Sequence, residues 1–344
     1  LILPTHPNGT PRSGVIHACA TDEKHRETLT LVHPTLPPIS QPTLAQLGIG
    51  PGVGVGRDGE IHQEPPRDRL PIPANVQVSQ RNTPALFGAR LIDAIPDRVI
   101  IAQERAQRVQ YGMAPSDGEL NPVGRAHRLP DGKIGRFGWK AQTAHLAEFV
   151  QAACANELGL GNPREKQPKS LAHTAYEAPG LDLTQQQCDE LTAFVAALPR
   201  PTERLPADAG LRARAHAGKA LFSKVGCADC HTSNLGSVEG IYSDLLLHRM
   251  GSTLEGGGSS YGSAPIPVTV VSNSSEPLPD EWRTPPLWGV ADSGPYLHDG
   301  RARTLQEAIL MHGGQGRRAA QSFAALGESQ QGDLIEFLRT LRAP

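Results

Sequence analysis

Six consecutive residues constrain this chain more than any others: Gly226-Cys227-Ala228-Asp229-Cys230-His231. The spacing C-x-x-C-H is the attachment motif of c-type haem. Two thiols about one helical turn apart add across the two vinyl groups on one porphyrin edge. The histidine that follows then faces the iron from the proximal side. A zinc site needs two more ligands, as a second C-x-x-C or an H-x-x-x-H pair, and none is suitably spaced nearby. A thioredoxin-type redox pair wants a strand before it, whereas the residues before this motif read as a helix. The motif therefore predicts covalent haem c held by Cys227, Cys230 and His231.

Composition fits that reading. With 36 Gly, 31 Pro and only 4% aromatic residues, the chain is rich in loops and short of large core side chains. A porphyrin supplies part of the missing core. The net charge of −2 disfavours a generally basic nucleic-acid binder. No run approaches the roughly 18 apolar residues of a transmembrane helix. The chain opens Leu1-Ile2-Leu3-Pro4, with no initiator Met and no visible signal peptide, and reads like the middle of a loop.

The class predicted is mainly α with long Gly/Pro-rich loops. Apolar spacing places helices over 142–158, 184–198, 209–224 and 328–342. Thr184 is an N-cap, and Pro199 and Pro201 end the second helix. Cys188, Leu191, Phe194, Val195 and Leu198 form its expected apolar face. The run 48–56 is Gly-rich but lacks the flanking strand and helix of a phosphate loop, so it reads as a surface loop. The clearest strand signal is Val268-Thr269-Val270-Val271, inside a Gly/Ser/Pro-rich stretch from 251 to 281. Two internal echoes occur in the same order. Arg81-Asn82-Thr83-Pro84-Ala85-Leu86-Phe87-Gly88 resembles Arg283-Thr284-Pro285-Pro286-Leu287-Trp288-Gly289, and Leu191-x-x-Phe194-x-x-x-Leu198 resembles Leu334-x-x-Phe337-x-x-x-Leu341. They predict tandem halves, 1–200 and 201–344, divided at the Pro-rich linker 199–206.

The second axial ligand is sought in the same half as the motif. Thr304 caps a short helix with Glu307 in the capping-box position, which brings His312 or Met311 inward. His312 is the leading candidate, with Met311, Met250 and His248 as alternatives. A thioether ligand raises the haem potential and a second imidazole lowers it. Arg283, Arg301 and Arg303 are candidate donors to the propionates.

Several runs together resemble the dihaem oxidoreductase family of peroxidase-like proteins, also called C-x-x-C-containing thiol oxidoreductases, relatives of the bacterial dihaem cytochrome c peroxidases. They are RNTPALFGARLIDAIPD (81–97), GKIGRFGWKAQTAHLAEFVQAACANELGL (132–160), PGLDLTQQQCDELTAFVAALPRP (179–201), VGCADCHT (225–232), IYSDLLLHRMG (241–251) and EWRTPPLWGVADSGPYLHDGRARTLQEAILMHGG (281–314). The resemblance implies two cytochrome c-like domains, each with a haem, in an exported, periplasmic-type protein. One haem receives electrons from a small redox protein and the other reduces hydrogen peroxide. His298 falls on the family's aromatic-x-His-x-Gly motif. His312 falls where the peroxidases place a distal Met, which implies two imidazoles on the C-terminal iron.

The departure lies upstream. A two-haem member needs a second C-x-x-C-H before Arg81, and only Cys19 is found there. Such a motif is expected to precede residue 1, which makes the 1–200 half one without its own haem motif. His17 and His33 are candidate remnants of that site, and Glu104 is a candidate base. Cys154 and Cys188, on two helices of the first half, are expected as buried thiols or as a disulfide pair. Three functions compete: a peroxidase-type haem oxidoreductase, a non-catalytic one-haem electron carrier, or a structural or interaction protein whose first domain has lost its haem and serves as a binding surface.

Overall fold

The computed structural model describes residues 82–112, 120–167, 180–256 and 276–344, together with the backbone of four short strands upstream. His17, Cys19, His33 and the segment Val268–Val271 lie outside the described residues. The upstream strands are β1 (Ile2–Pro4), β2 (Val53–Val55), β3 (Ile61–Gln63) and β4 (Val76–Val78). They form two antiparallel pairs, β1 with β4 and β2 with β3. Strand β2 falls within the Gly-rich run read from sequence as loop, and the alternation Val53-Gly54-Val55 is the period of a strand.

The first half builds on α1 (Ala89–Asp93), α2 (Asp97–Tyr111), α3 (Leu146–Leu158) and α4 (Gln185–Ala197). Helix α2 escaped the sequence reading because its buried positions are Ile100, Glu104 and Gln107. Only one of these is apolar, so no 3.6-residue hydrophobic period announces it. Helix α4 starts as expected, with a capping box between Thr184 and Gln187. Its buried face is narrower than expected. Cys188 and Val195 are buried, while Leu191 and Phe194 are 38% and 65% exposed. The buried pair are seven residues apart, so α4 meets the first half along a single seam.

The second half contains β5 (Thr202–Glu203), α5 (Ala209–Lys224), β6 (Asn234–Leu235), β7 (Val238–Glu239), β8 (Leu247–Arg249), β9 (Glu281–Arg283), α6 (Leu305–Leu310), α7 (Arg317–Ala324), α8 (Glu328–Thr340) and β10 (Leu341–Arg342). Strand β10 pairs with β5, so the end of the chain is tied to the linker between the halves. No helix among the described residues is long and apolar enough to cross a membrane.

Helices α5 and α8 cross in close contact at Gly218. A Cβ at that position would lie 1.9 Å from the Asp333 carbonyl oxygen and 2.9 Å from Leu334 Cα. The approach lets Phe222 meet Phe337 edge to face, ring centroids 5.4 Å apart, with Tyr242 6.0 Å from Phe222. Phe323, Leu334, Leu338 and Leu341 complete this apolar cluster. The other cluster is centred on Ile92, Ile100, Phe137, Leu146 and Phe149, but it also takes in Leu235, Val238, Ile241, Leu245, Leu246 and Trp288. One core thus draws on both sides of residue 200.

The two echoed segments touch each other. A Cβ on Gly88, which has a φ of 68°, would lie 2.8 Å from Trp288 Cζ2. The Asn82 N–H donates to the His298 carbonyl at 2.7 Å, and its side-chain amide donates to the Pro295 carbonyl at 2.6 Å.

The α5–α8 crossing generates a prediction. Gly218→Val puts a side chain where backbone already sits, and overpacking of this kind costs about 1–3 kcal/mol or more. Equilibrium denaturation is expected to show that loss, whereas Ala217→Val, on the exposed face of the same helix, leaves the midpoint nearly unchanged.

Candidate haem site

At the end of α5 the chain enters a left-handed turn at Gly226, φ 95°. A Cβ there would be strained. The turn sets up a single 3-10 turn over Cys227–Asp229, closed by the His231 N–H donating to the Cys227 carbonyl at 2.9 Å. Both thiols and the imidazole therefore come from one tight turn. His231 Nδ1 donates to the Tyr242 carbonyl at 3.0 Å, which leaves Nε2 as the nitrogen with a free lone pair. Burial pushes His231 down to about 4, with nearby His312 adding to the effect. Burial pushes Cys227 up to about 12 and raises Cys230 as well.

His312 arrives from α6. Thr304 Oγ1 accepts from the Glu307 N–H at 3.1 Å, and the Glu307 carboxylate accepts from the Thr304 N–H at 3.3 Å. This fixes the helix start, and Ala308 lies buried on its inner face. His312 Nδ1 donates to the Ala308 carbonyl at 2.7 Å, again leaving Nε2 unspent. Burial lowers its proton affinity too.

Both imidazoles line a cavity of about 620 Å³, walled by residues of both halves. Phe222, Ala308 and Leu334 contribute from the second half, and Ala89, Phe137 and Phe149 from the first. Two thiols on one turn, two neutral imidazoles with Nε2 free and an apolar cavity form a donor set that fits haem. The other candidates divide. Met250 lines the same cavity and lies beside His312: a Cβ on Gly316 would be 3.1 Å from both Met250 Cε and His312 Cβ. Met311 is 37% exposed and lies outside the cavity lining.

His298 is buried in the cavity wall, stacked on Trp282 with centroids 3.7 Å apart and planes 13° apart, and Trp139 meets it edge-on. Arg301 points elsewhere: it binds Asp299 at 2.6 Å and the Thr253 carbonyl at 2.7 Å. Arg303 also lies outside the lining, which Arg283, of the three candidates, does join, together with Arg318. Burial lowers Arg283 to about 10, and its Nε donates to the Gly138 carbonyl at 2.8 Å. Glu104 is held away from the cavity between Arg108 (2.7 Å) and Arg128 (2.8 Å). Cys154 and Cys188 are buried free thiols, and burial raises both.

Sequence reasoning missed Trp139 and Trp282 as wall residues, and Lys140 packed on the Trp282 ring. Lys140 Nζ sits 3.6 Å from the Trp282 ring centroid and donates to the Leu278 and Pro279 carbonyls at 2.9 Å each. It also missed the Asp244–His248 pair beside Cys230. The i, i+4 spacing of that pair suggests a helix, yet His248 stands on β8 and Asp244 on the loop leading into it.

The family model described as "Di-haem oxidoreductase, putative peroxidase" matches residues 68–341. The chain belongs to this family of haem oxidoreductases. It is 33% identical over 147 residues to the methylamine utilization protein MauG of Methylorubrum extorquens, covering 40% of this chain and 36% of that protein. It is 28% identical over 229 residues to the cytochrome-c peroxidase IdrP1 of Denitromonas iodatirespirans, covering 57% and 54%. Hydrazine synthase subunit gamma of Kuenenia stuttgartiensis is 29% identical over 164 residues, covering 39% and 43%. The chain thus spans about half the length, or less, of these relatives.

The cavity wall carries its own pH dependence. His127 is buried, and its Nδ1 donates to the Ala141 carbonyl at 2.8 Å, fixing the loop that presents Trp139 and Lys140. Burial, the dominant cause, lowers it below the ordinary 6.5. Its contribution is therefore complete above that value and lost as pH falls toward the folded-state value, because only the unfolded chain takes up the proton readily. The denaturation midpoint is expected to drop as pH falls below about 6.5, with a smaller drop in His127→Gln.

Proposed function

We propose that the chain is a c-type haem oxidoreductase in which Cys227 and Cys230 would attach haem, and His231 and His312 would hold its iron. The observation that carries this reading is the matched pair of imidazoles. Each spends Nδ1 on a backbone carbonyl and faces the same cavity. When bound, the haem iron supplies one-electron transfer, and an iron with an open position supplies peroxide reduction.

The chain's own groups set the conditions for that chemistry. The carbonyls of Tyr242 and Ala308 fix both tautomers and keep Nε2 available, the usual outer-shell role for a ligating histidine. Phe222, Leu334 and Leu338 exclude water. Two imidazole ligands favour a lower potential than an imidazole–thioether pair. Arg283 is the buried cation suited to the propionates.

A peroxidase activity needs a second haem. The cavity lining contributed by Ala89, Ile92, Phe137, Phe149 and Trp139 supports a second site on the first half. The alternative is a one-haem electron carrier built on the single C-x-x-C-H of these 344 residues. Under either reading the partners are small redox proteins, with hydrogen peroxide added under the first. Covalent haem attachment supports an exported, periplasmic-type location.

Haem quantification of the purified protein as its pyridine complex, with spectra before and after peroxide, tests both readings. His312→Ala is expected to convert a low-spin haem to high spin while haem stays attached; an unchanged spectrum would exclude His312 as ligand. One low-spin haem that is inert to peroxide would overturn the peroxidase reading for this chain.

A further inference from the structure

We propose that Asp244, His248 and Cys230 form a proton relay that promotes addition of the Cys230 thiol to haem, so that the chain assists its own cofactor attachment. This rests on the c-type haem reading above. His248 Nε2 donates to Asp244 Oδ2 at 2.8 Å, and its Nδ1 faces Cys230 Sγ at 3.6 Å. With Nε2 carrying the hydrogen, Nδ1 is left as an acceptor for the thiol. Thiol, imidazole and carboxylate in that order is the arrangement of activated nucleophiles on unrelated folds.

The site is built for this geometry. Asp244 is fully buried, and its remaining capacity is taken by Gln107 Nε2 at 2.8 Å on Oδ2 and by the Leu246 N–H at 2.9 Å on Oδ1. His248 is 2% exposed and lies opposite Trp282 in the β8–β9 pair. A Cβ on Gly124 would lie 2.5 Å from His248 Nε2, so a glycine is what leaves room for the ring. Cys227 has no comparable neighbour: among the described residues no side chain hydrogen-bonds its sulfur. The same three donor atoms lie within 4.8 Å of one another, a grouping able to grip a metal ion. A thioether would consume the sulfur, however, and Gln107 and Leu246 already occupy the carboxylate.

The step balances without an added oxidant or reductant. The Cys230 S–H bond breaks and its proton passes to His248 Nδ1. The sulfur bonds to the vinyl carbon next to the porphyrin ring, the vinyl π bond is lost, and the proton is delivered to the terminal vinyl carbon. The Asp244 carboxylate stabilises the imidazolium formed in between.

The full-length haem-free protein, incubated with ferrous haem under reducing, oxygen-free conditions, allows the two thioethers to be followed separately by peptide mass spectrometry. The α-band of the pyridine complex gives a second readout, with Cys227→Ala and Cys230→Ala as singly attached standards. In His248→Phe, Asp244→Asn and the polar, volume-conserving His248→Gln, the Cys230 linkage is expected to form at least about 100-fold more slowly, the lower range for general acid–base assistance. The Cys227 linkage and non-covalent haem uptake are expected to keep wild-type rates. Equal rates at Cys230 in all four proteins would overturn the relay, and so would parallel losses at both cysteines. If the wild-type protein forms no thioether at either cysteine, the relay is overturned, while the haem c reading stands or falls separately on the pyridine complex of the protein as purified.

Discussion

The crossing of α5 and α8 at Gly218 fixes the frame to which the cavity belongs. Backbone-to-backbone contact is the shortest approach two helices can make, and it determines how far Phe222 reaches toward Phe337. Helix α5 also delivers the C-x-x-C-H turn at its C-terminal end, so the position of both thiols and of His231 inherits the precision of that contact. A looser crossing would move the motif relative to His312, which comes from another helix altogether.

A second constraint is the disposal of buried polar groups. Lys140, Arg283, His127, His231 and His312 all sit in or against an apolar interior, where an unpaired donor is costly. Each is paired chiefly with backbone carbonyls rather than with carboxylates. Of these, Arg283 lines the cavity and presents a cation hydrogen-bonded to backbone carbonyls. Haem propionates are anionic groups that would complement it.

Legibility in the sequence followed the kind of signal each feature leaves. The haem motif, the α6 capping box and the helices α3, α4, α5 and α8 carry local patterns and could be read directly. Helix α2 was hidden because its inward face holds Glu104 and Gln107, whose burial is satisfied by Arg108 and Arg128 in one case and by Asp229 and Asp244 in the other. Arg301 looked like a cofactor ligand because it follows the His298 motif, yet Asp299, two residues away, takes its charge. The Trp282–His298 stack and the His248–Asp244 pair depend on how β8 and β9 pair with each other and with the rest of the second half, and no local spacing encodes that. The exposed Leu191 and Phe194 show the opposite error, a periodic apolar pattern wider than the seam it serves.

The contact between the two echoed segments has a consequence for how the sequence can vary. Gly88 and Trp288 occupy equivalent places in their motifs or immediately beside them, and each is in contact with the other's segment. The size of residue 88 and the size of residue 288 are therefore coupled. A side chain at 88 meets both the left-handed φ of 68° and the Trp288 ring, so a reduction at 288 relieves only part of its cost, and effects measured separately at the two positions will not add. The two echoed motifs are thus coupled through the surface they share, and a change in one is felt in the other.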